Sequence, residues 1–382
     1  MDHEVELRIA RILLLPPMKA CLPLTLLISL SITIANAGQM PIWIGTGGKN
    51  AKGIYKATYE CDSGTLTEPK LAAEVEGPGW VTLNSDRSRL YAVCTIGEPS
   101  VAVWSVDSDD NLTFINSQPI GDGGSAHVSL DKENRILFTA QYGGGSTAAF
   151  ALNEDGSIGK KTALIKHEGS GPNEKRQKSP HPHWTGVSPD NRFLFVPDLG
   201  NDKIVIYKIN HEEQTIETHG FGQTNPGGGP RHMKFSPDGF KVYLLNELLL
   251  SVTVFDYDAE AGSLKSIQTI ENIPLEELEV PSKSSEIRVH PNGKFVYAAN
   301  RGPDNITVFS VDEVTGKLIF VENEAIRGAW PRNFNLDPDG SFLIAAGRYS
   351  NTLSIFEIDQ ETGGLIFTGR VVNCPSPICI AY

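Results

Sequence analysis

One phrase recurs along the chain closely enough to dictate its architecture. It reads "SPDNRFLFVPD" from residue 188, "SPDGFKVYLLNE" from 236, "HPNGKFVYAANR" from 290 and "DPDGSFLIAAGR" from 337: a turn, then an apolar strand. Fainter copies stand at "SDRSRLYAVC" (85) and "DKENRILFTAQ" (131). A second alternating run follows, as in "KIVIYKI", "SVTVFDY", "NITVFSV" and "NTLSIFEI". Its aromatic recurs seven times, as Tyr55, Trp104, Phe150, Tyr207, Phe255, Phe309 and Phe356, at intervals of 46 to 57 residues. After most of these comes a turn ending in glycine and an apolar residue, such as Gly262-Ser-Leu264 and Gly316-Lys-Leu318.

Period-two alternation rich in β-branched and aromatic residues specifies strands. Each unit therefore holds four strands: one before the Ser-Pro-Asp turn, one after it, the aromatic run, and one after the glycine turn. Four-stranded units of this length, repeated radially, make a β-propeller, here all-β with seven blades. The first blade lacks its inner strand, because "PIWIGTG" (41–47) occupies the second-strand position; the C-terminal "SPICIAY" (376–382) is expected to complete it and remove a sheet edge. No segment carries an amphipathic helical period, and "PLEELEV" (274–280) is at most one polar turn in an insert.

The repeat also predicts a site. In each blade the first strand runs toward the Ser-Pro-Asp turn and the second returns, so the start of one and the end of the other share one mouth of the ring. Counting six residues back from each turn proline gives His183, Arg231, Ser285 and Arg332. The second-strand ends give Cys94-Thr95, Gln141-Tyr142, Asp198, Asn246-Glu247, Asn300-Arg301 and Gly347-Arg348. Positions inside the blades repeat as apolar residues, whereas these vary among His, Arg, Glu, Asp and Asn. One His, one Glu and three Arg around a single opening constitute a candidate anion-binding catalytic site.

The stretches "PHPHWTGVSPDNRFLFVPDLGNDKI", "GGGPRHMKFSPDGFKVYLLNEL", "SEIRVHPNGKFVYAANRG" and "PRNFNLDPDGSFLIAAG" resemble the seven-bladed lactonase family, which includes 6-phosphogluconolactonases of the propeller type and carboxymuconate-cyclizing enzymes. The resemblance spans residues 41 to 382. It implies a lactone hydrolase acting on sugar-acid or carboxylated lactones without metal or other cofactor, with His183, Arg231, Glu247 and Arg301 as the catalytic set. Glu286 and Arg332 fall on further positions of the family signature. With His181 and Asp198, they are the expected substrate-binding residues. A propeller that only binds a carbohydrate or protein at the same mouth, and a lactone-forming enzyme, are the alternatives.

Duller roles compete for several of these residues. His181, between Pro180 and Pro182, suits a structural or rim position, and a zinc pair with His183 lacks a third ligand at metal spacing. His232 follows Arg231 on a strand and is expected to face the other way, into packing. His290 occupies the Ser-Pro-Asp slot and should cap its turn. Arg332 suits a ligand or an inter-blade ion pair, and Asp198 a strand end.

The net charge of −13 excludes nucleic acid and anionic membrane as principal partners and leaves a small-molecule lactone. Residues 18–37, with Lys19, an apolar run and Ala35-Asn36-Ala37, read as an export signal behind an upstream extension. They predict a mature propeller domain over 38–382, periplasmic or secreted, with no membrane contact once the signal is removed. Cys61, Cys94, Cys374 and Cys379 would then meet an oxidising compartment, but a core this large needs no disulfide, and buried free thiols are the favoured reading.

Overall fold

A computed structural model describes residues 38–274 and 280–382. The expected export signal and residues 275–279 of the predicted polar turn lie outside them. Every regular element among the described residues is a β-strand, and the strands form seven antiparallel sheets. Six sheets have four strands in plain sequence order. The remaining sheet, blade 1, begins with Pro377–Ala381, which pairs with Gln39–Thr46; Gly53–Glu60 follows, and its outer edge carries two short pieces, Thr65–Leu66 and Lys70–Glu74. The chain's end thus supplies the innermost strand of the blade its beginning starts, as the repeat predicts.

The core lies between neighbouring blades. Ile136, Phe138 and Ala149 of blade 3 cluster with Leu194, Val196 and Tyr207 of blade 4, and equivalent clusters join the other blades. The repeating aromatic of each third strand is buried in all seven blades. At each of these aromatics the register between third and fourth strands slips. Such bulges raise the local twist and bend the sheet, and the aromatic fills the space the bend opens.

The glycine turns explain themselves at the blade seams. Gly262 of blade 5 has φ +61°, and a Cβ there would lie 2.5 Å from the Phe193 ring of blade 4. Gly363 (φ +76°) meets Phe295 in the same way, while its carbonyl accepts a 3.0 Å hydrogen bond from the Tyr297 hydroxyl. Only glycine satisfies both the left-handed backbone and the close approach. His290 receives the backbone N–H of Asn292 at its own Nδ1 (3.2 Å) and meets the Gly340 carbonyl at 2.7 Å, so it holds its turn as expected. Cys61, Cys94, Cys374 and Cys379 are free thiols, the last three buried.

Candidate active site

The inner strands converge at one end of the ring on a cavity of about 430 Å³. Its walls carry Tyr142, His183, Glu247, Arg301 and Arg332, all at positions the repeat assigns to the mouth, together with Arg176 and Lys283. Arg231 stands directly behind Glu247 and is bonded to it. Blade geometry fixes these positions. Asn246 ends the second strand of blade 5 and Asn300 is the last residue but one of that of blade 6, and each donates to a threonine across its hairpin, Thr253 at 3.0 Å and Thr307 at 2.9 Å. Glu247 and Arg301 are the next residues in each case. His183 sits where an inner strand is too irregular to ladder fully. Pro182 has no N–H, and blade 4 keeps only Gly186–Val187 as a regular inner strand. The backbone N–H of His183, donating to the Pro197 carbonyl at 3.0 Å, keeps the segment in register.

Glu247 is the hub. One carboxylate oxygen accepts from Arg176 at 2.8 Å; the other accepts from Arg231 at 2.8 Å and lies 3.0 Å from an Arg301 nitrogen. Burial alone would raise its pKa, but Arg301, Arg231 and, more weakly, His183 and Arg176 hold the carboxyl well below the usual range. Ionised and saturated, Glu247 organises guanidinium groups and has no tendency to take a proton. His183 is the opposite. Neither ring nitrogen hydrogen-bonds to another described residue, and Nδ1 is sealed from solvent. Burial, then Arg231 and His232, push its pKa well below the usual imidazole value, so it is neutral at pH 7.

The cations outnumber their partners. Burial followed by Arg301 pushes Arg231 down to about 10, and burial followed by Arg231 pushes Arg332 down to about 9; both remain charged at neutral pH. Among the described residues Arg332 has no carboxylate within ion-pair distance and no hydrogen bond, so it belongs to the cavity and not to an inter-blade pair. Arg301 Nε and one Arg176 amino group are likewise buried without an acceptor. The chain carries a net charge of −13, yet this cavity sets three guanidinium groups against one carboxylate, with Arg332 left unpaired, beside a neutral imidazole.

Three predicted substrate-binding residues stand elsewhere. Asp198 is wholly buried; its carboxylate takes His167 Nδ1 at 2.7 Å and the backbone N–H groups of His181 (2.7 Å) and Gly200 (2.9 Å), which fastens the loop before blade 4. His181 stacks on the outer side of Tyr142 (centroids 4.6 Å apart), with Nδ1 2.8 Å from that residue's carbonyl oxygen. Its effect on the cavity therefore passes through the tyrosine. Glu286 lies deeper on the axis, bound to His232 (3.1 Å), Arg288 (2.9 Å) and Asn333 (2.5 Å), and does not line the mouth. His232 corrects an expectation too. Strand alternation sends it away from Arg231, but the register slips between Pro230 and His232. Both side chains consequently reach the axis, where Arg231 meets His232 Nε2 at 3.0 Å. Ser285 is buried beneath the mouth, its carbonyl against Arg231.

Arg176 and Lys283 escaped the sequence reading. Arg176 sits in the long connection between blades 3 and 4, which has no counterpart in the repeat. Lys283 starts the inner strand Lys283–Val289, two residues before the counted position. Asp131, Glu133 and His211 lie close enough together to share a cation, but away from the mouth. Asp131 is already occupied by the N–H groups of Arg135 and Ile136 (both 2.7 Å) and by Asn191.

Comparison with known proteins agrees with this fold. Residues 41–382 match the family model described as "Lactonase, 7-bladed beta-propeller". The chain is 37% identical over 298 residues to the 6-phosphogluconolactonase of Bacillus subtilis, covering 77% of this chain and 84% of that one. It is 33% identical over 306 residues to a 6-phosphogluconolactonase of Formosa agariphila, covering 76% and 84%. Among solved structures, the periplasmic gluconolactonase of Pseudomonas aeruginosa superposes with a TM-score of 0.84 at 29% identity, covering 90% of this chain and 98% of that one.

Proposed function

We propose, from the premise that this chain belongs to the lactonase family of seven-bladed β-propellers, that its mouth hydrolyses a sugar-acid or carboxylated lactone. One observation carries the reading: a neutral, unpartnered imidazole, His183, shares a cavity with Arg332, which has no carboxylate partner among the described residues, and with Arg301 and Arg176, which share the single carboxylate of Glu247. Water adds to the lactone carbonyl while His183 takes its proton. The oxyanion is stabilised by Arg301 and Arg332, a term that rises as charge develops. Collapse breaks the ring C–O bond, the imidazolium returns the proton to the leaving alkoxide, and a hydroxy acid results. Glu247 keeps Arg231, Arg301 and Arg176 aimed and changes charge at no step.

The charge stabilisation comes from arginines, so the reaction needs no metal. The 6-phosphogluconolactonase relatives favour a phosphorylated sugar lactone, and the periplasmic gluconolactonase favours an unphosphorylated one. The export signal read in residues 18–37 tips the choice to the unphosphorylated lactone, because a periplasmic or secreted enzyme rarely meets sugar phosphates. The test is a panel of gluconolactone, its 6-phosphate and a carboxylated lactone, with and without chelator, on wild type and Arg231→Ala. Gluconolactone turnover that ignores chelator and collapses in Arg231→Ala is the expected result. Loss with chelator overturns the metal-free mechanism. Inactivity of the wild type on every lactone transfers the mouth to a binding role.

A further inference from the structure

A second cavity, of about 740 Å³, lies apart from the one just described. It is lined by residues from the far halves of the inner strands, including Ser129, Lys234 and Arg288, and therefore opens at the opposite mouth. The two cavities are separate. His232 is wholly buried between them, its ring 5.2 Å from that of His183 on one side and 5.9 Å from that of His127 on the other.

The chemistry of this second cavity is distinctive for so acidic a chain. Arg87, Lys234 and Arg288 line it, and no aspartate or glutamate side chain does. Arg288 is anchored to Glu286 and Asn335, each at 2.9 Å. Lys234 is not anchored. Among the described residues its ammonium has no hydrogen bond and no carboxylate within ion-pair distance; it hangs 4.9 Å from the centre of the Trp184 ring. The indole N–H of Trp184, on the same wall, is also a donor without an acceptor. Trp80 supplies a second aromatic wall. Burial, followed by Arg288, pushes the lysine down to about 7, so near neutral pH the fold holds an unpaired, partly buried amine divided between its neutral and charged forms, which a bound anion would draw to the ammonium. A lysine kept at this cost, on an aromatic wall and beside an anchored arginine, is arranged to receive an anion.

We propose that this opposite mouth is a second ligand site, and that it binds a small carboxylate attached to a six-membered ring, with the carboxylate on Lys234 and the ring against the tryptophan walls. The site is independent of lactone chemistry and stands whether or not the first mouth turns over a lactone. Benzoate and glucuronate separate an aromatic from a sugar source for the ring. Each is titrated calorimetrically into wild type, Arg301→Ala and Lys234→Met. The expected result is a saturable site for at least one of the two, retained in Arg301→Ala and weakened at least about thirtyfold in Lys234→Met, the scale for truncating one member of a buried charge pair. Saturation that Lys234→Met leaves unchanged, saturation that vanishes in Arg301→Ala, or no saturation by either compound overturns the proposal. Lys234→Gln serves the same purpose should the methionine variant fail to fold. Because direct binding is read in a variant disabled at the first mouth, an inactive lactonase and an empty second site give different results.

Discussion

His183 owes its neutrality to the burial and the cations that also make it a weak base, and its behaviour with pH follows. As the base of the proposed mechanism it would act when unprotonated, and its pKa lies well below 6.5, so the acid limb of kcat/KM should fall below pH 6.5 and the rate should be flat from there to neutrality. Glu247 stays ionised throughout that range and adds no limb of its own. His183→Gln removes the proton acceptor while keeping a side chain of similar reach. It should lower kcat by about 10²–10⁴-fold, with thermal unfolding close to wild type. Unchanged turnover would remove the imidazole from the mechanism. Five residues of the cavity wall are legible by counting within the repeat, Tyr142, His183, Glu247, Arg301 and Arg332, as is Arg231 behind them. Arg176 is not, because it lies where the repeat is interrupted and counting has no frame. Asp198 was misjudged for the opposite reason. Its strand position is that of a mouth residue, but the N–H groups of the adjoining loop claim its carboxylate first.

The strand is the scale at which the sequence was most informative, and the bulge is where it fell silent. Alternation and turn residues identified the strands and their order, but a register slip adds one residue without changing composition. The slip at Pro230–His232 put a histidine on the axis that alternation had sent outward. The seven slips beside the third-strand aromatics went equally unseen, although their aromatics marked the places. These aromatics should therefore matter beyond their area. Phe309 is wholly buried at such a slip and packs against Phe320. Phe309→Ala should cost about 3–5 kcal/mol of stability, read by chemical denaturation. A loss below about 1 kcal/mol would mean that the bend forms without the ring.

For the whole molecule the decisive element is Pro377–Ala381. It pairs with Gln39–Thr46, and it also grips blade 7, with the Ile380 N–H on Asn333 at 3.0 Å and the Ile380 carbonyl accepting from Asn335 at 2.9 Å. Removing residues 377–382 opens blade 1 at its inner edge and strips the seam to blade 7. The truncated chain should melt on the order of 10 °C lower and associate through the bared strand. An unaltered melting curve would show that closure of the ring contributes little. This closure was readable from the sequence because a missing strand at one end and an unassigned strand at the other must answer each other.

The guanidinium crowd around Glu247 has an outcome that lies after the chemistry. The gluconolactone proposed as substrate would enter uncharged, and what remained when its ring had opened would be an acid, facing the same arginines that drew the electrons. Departure, more than ring opening, should then set the pace. Progress curves should flatten early as hydroxy acid accumulates, and added salt should straighten them by loosening the product's hold.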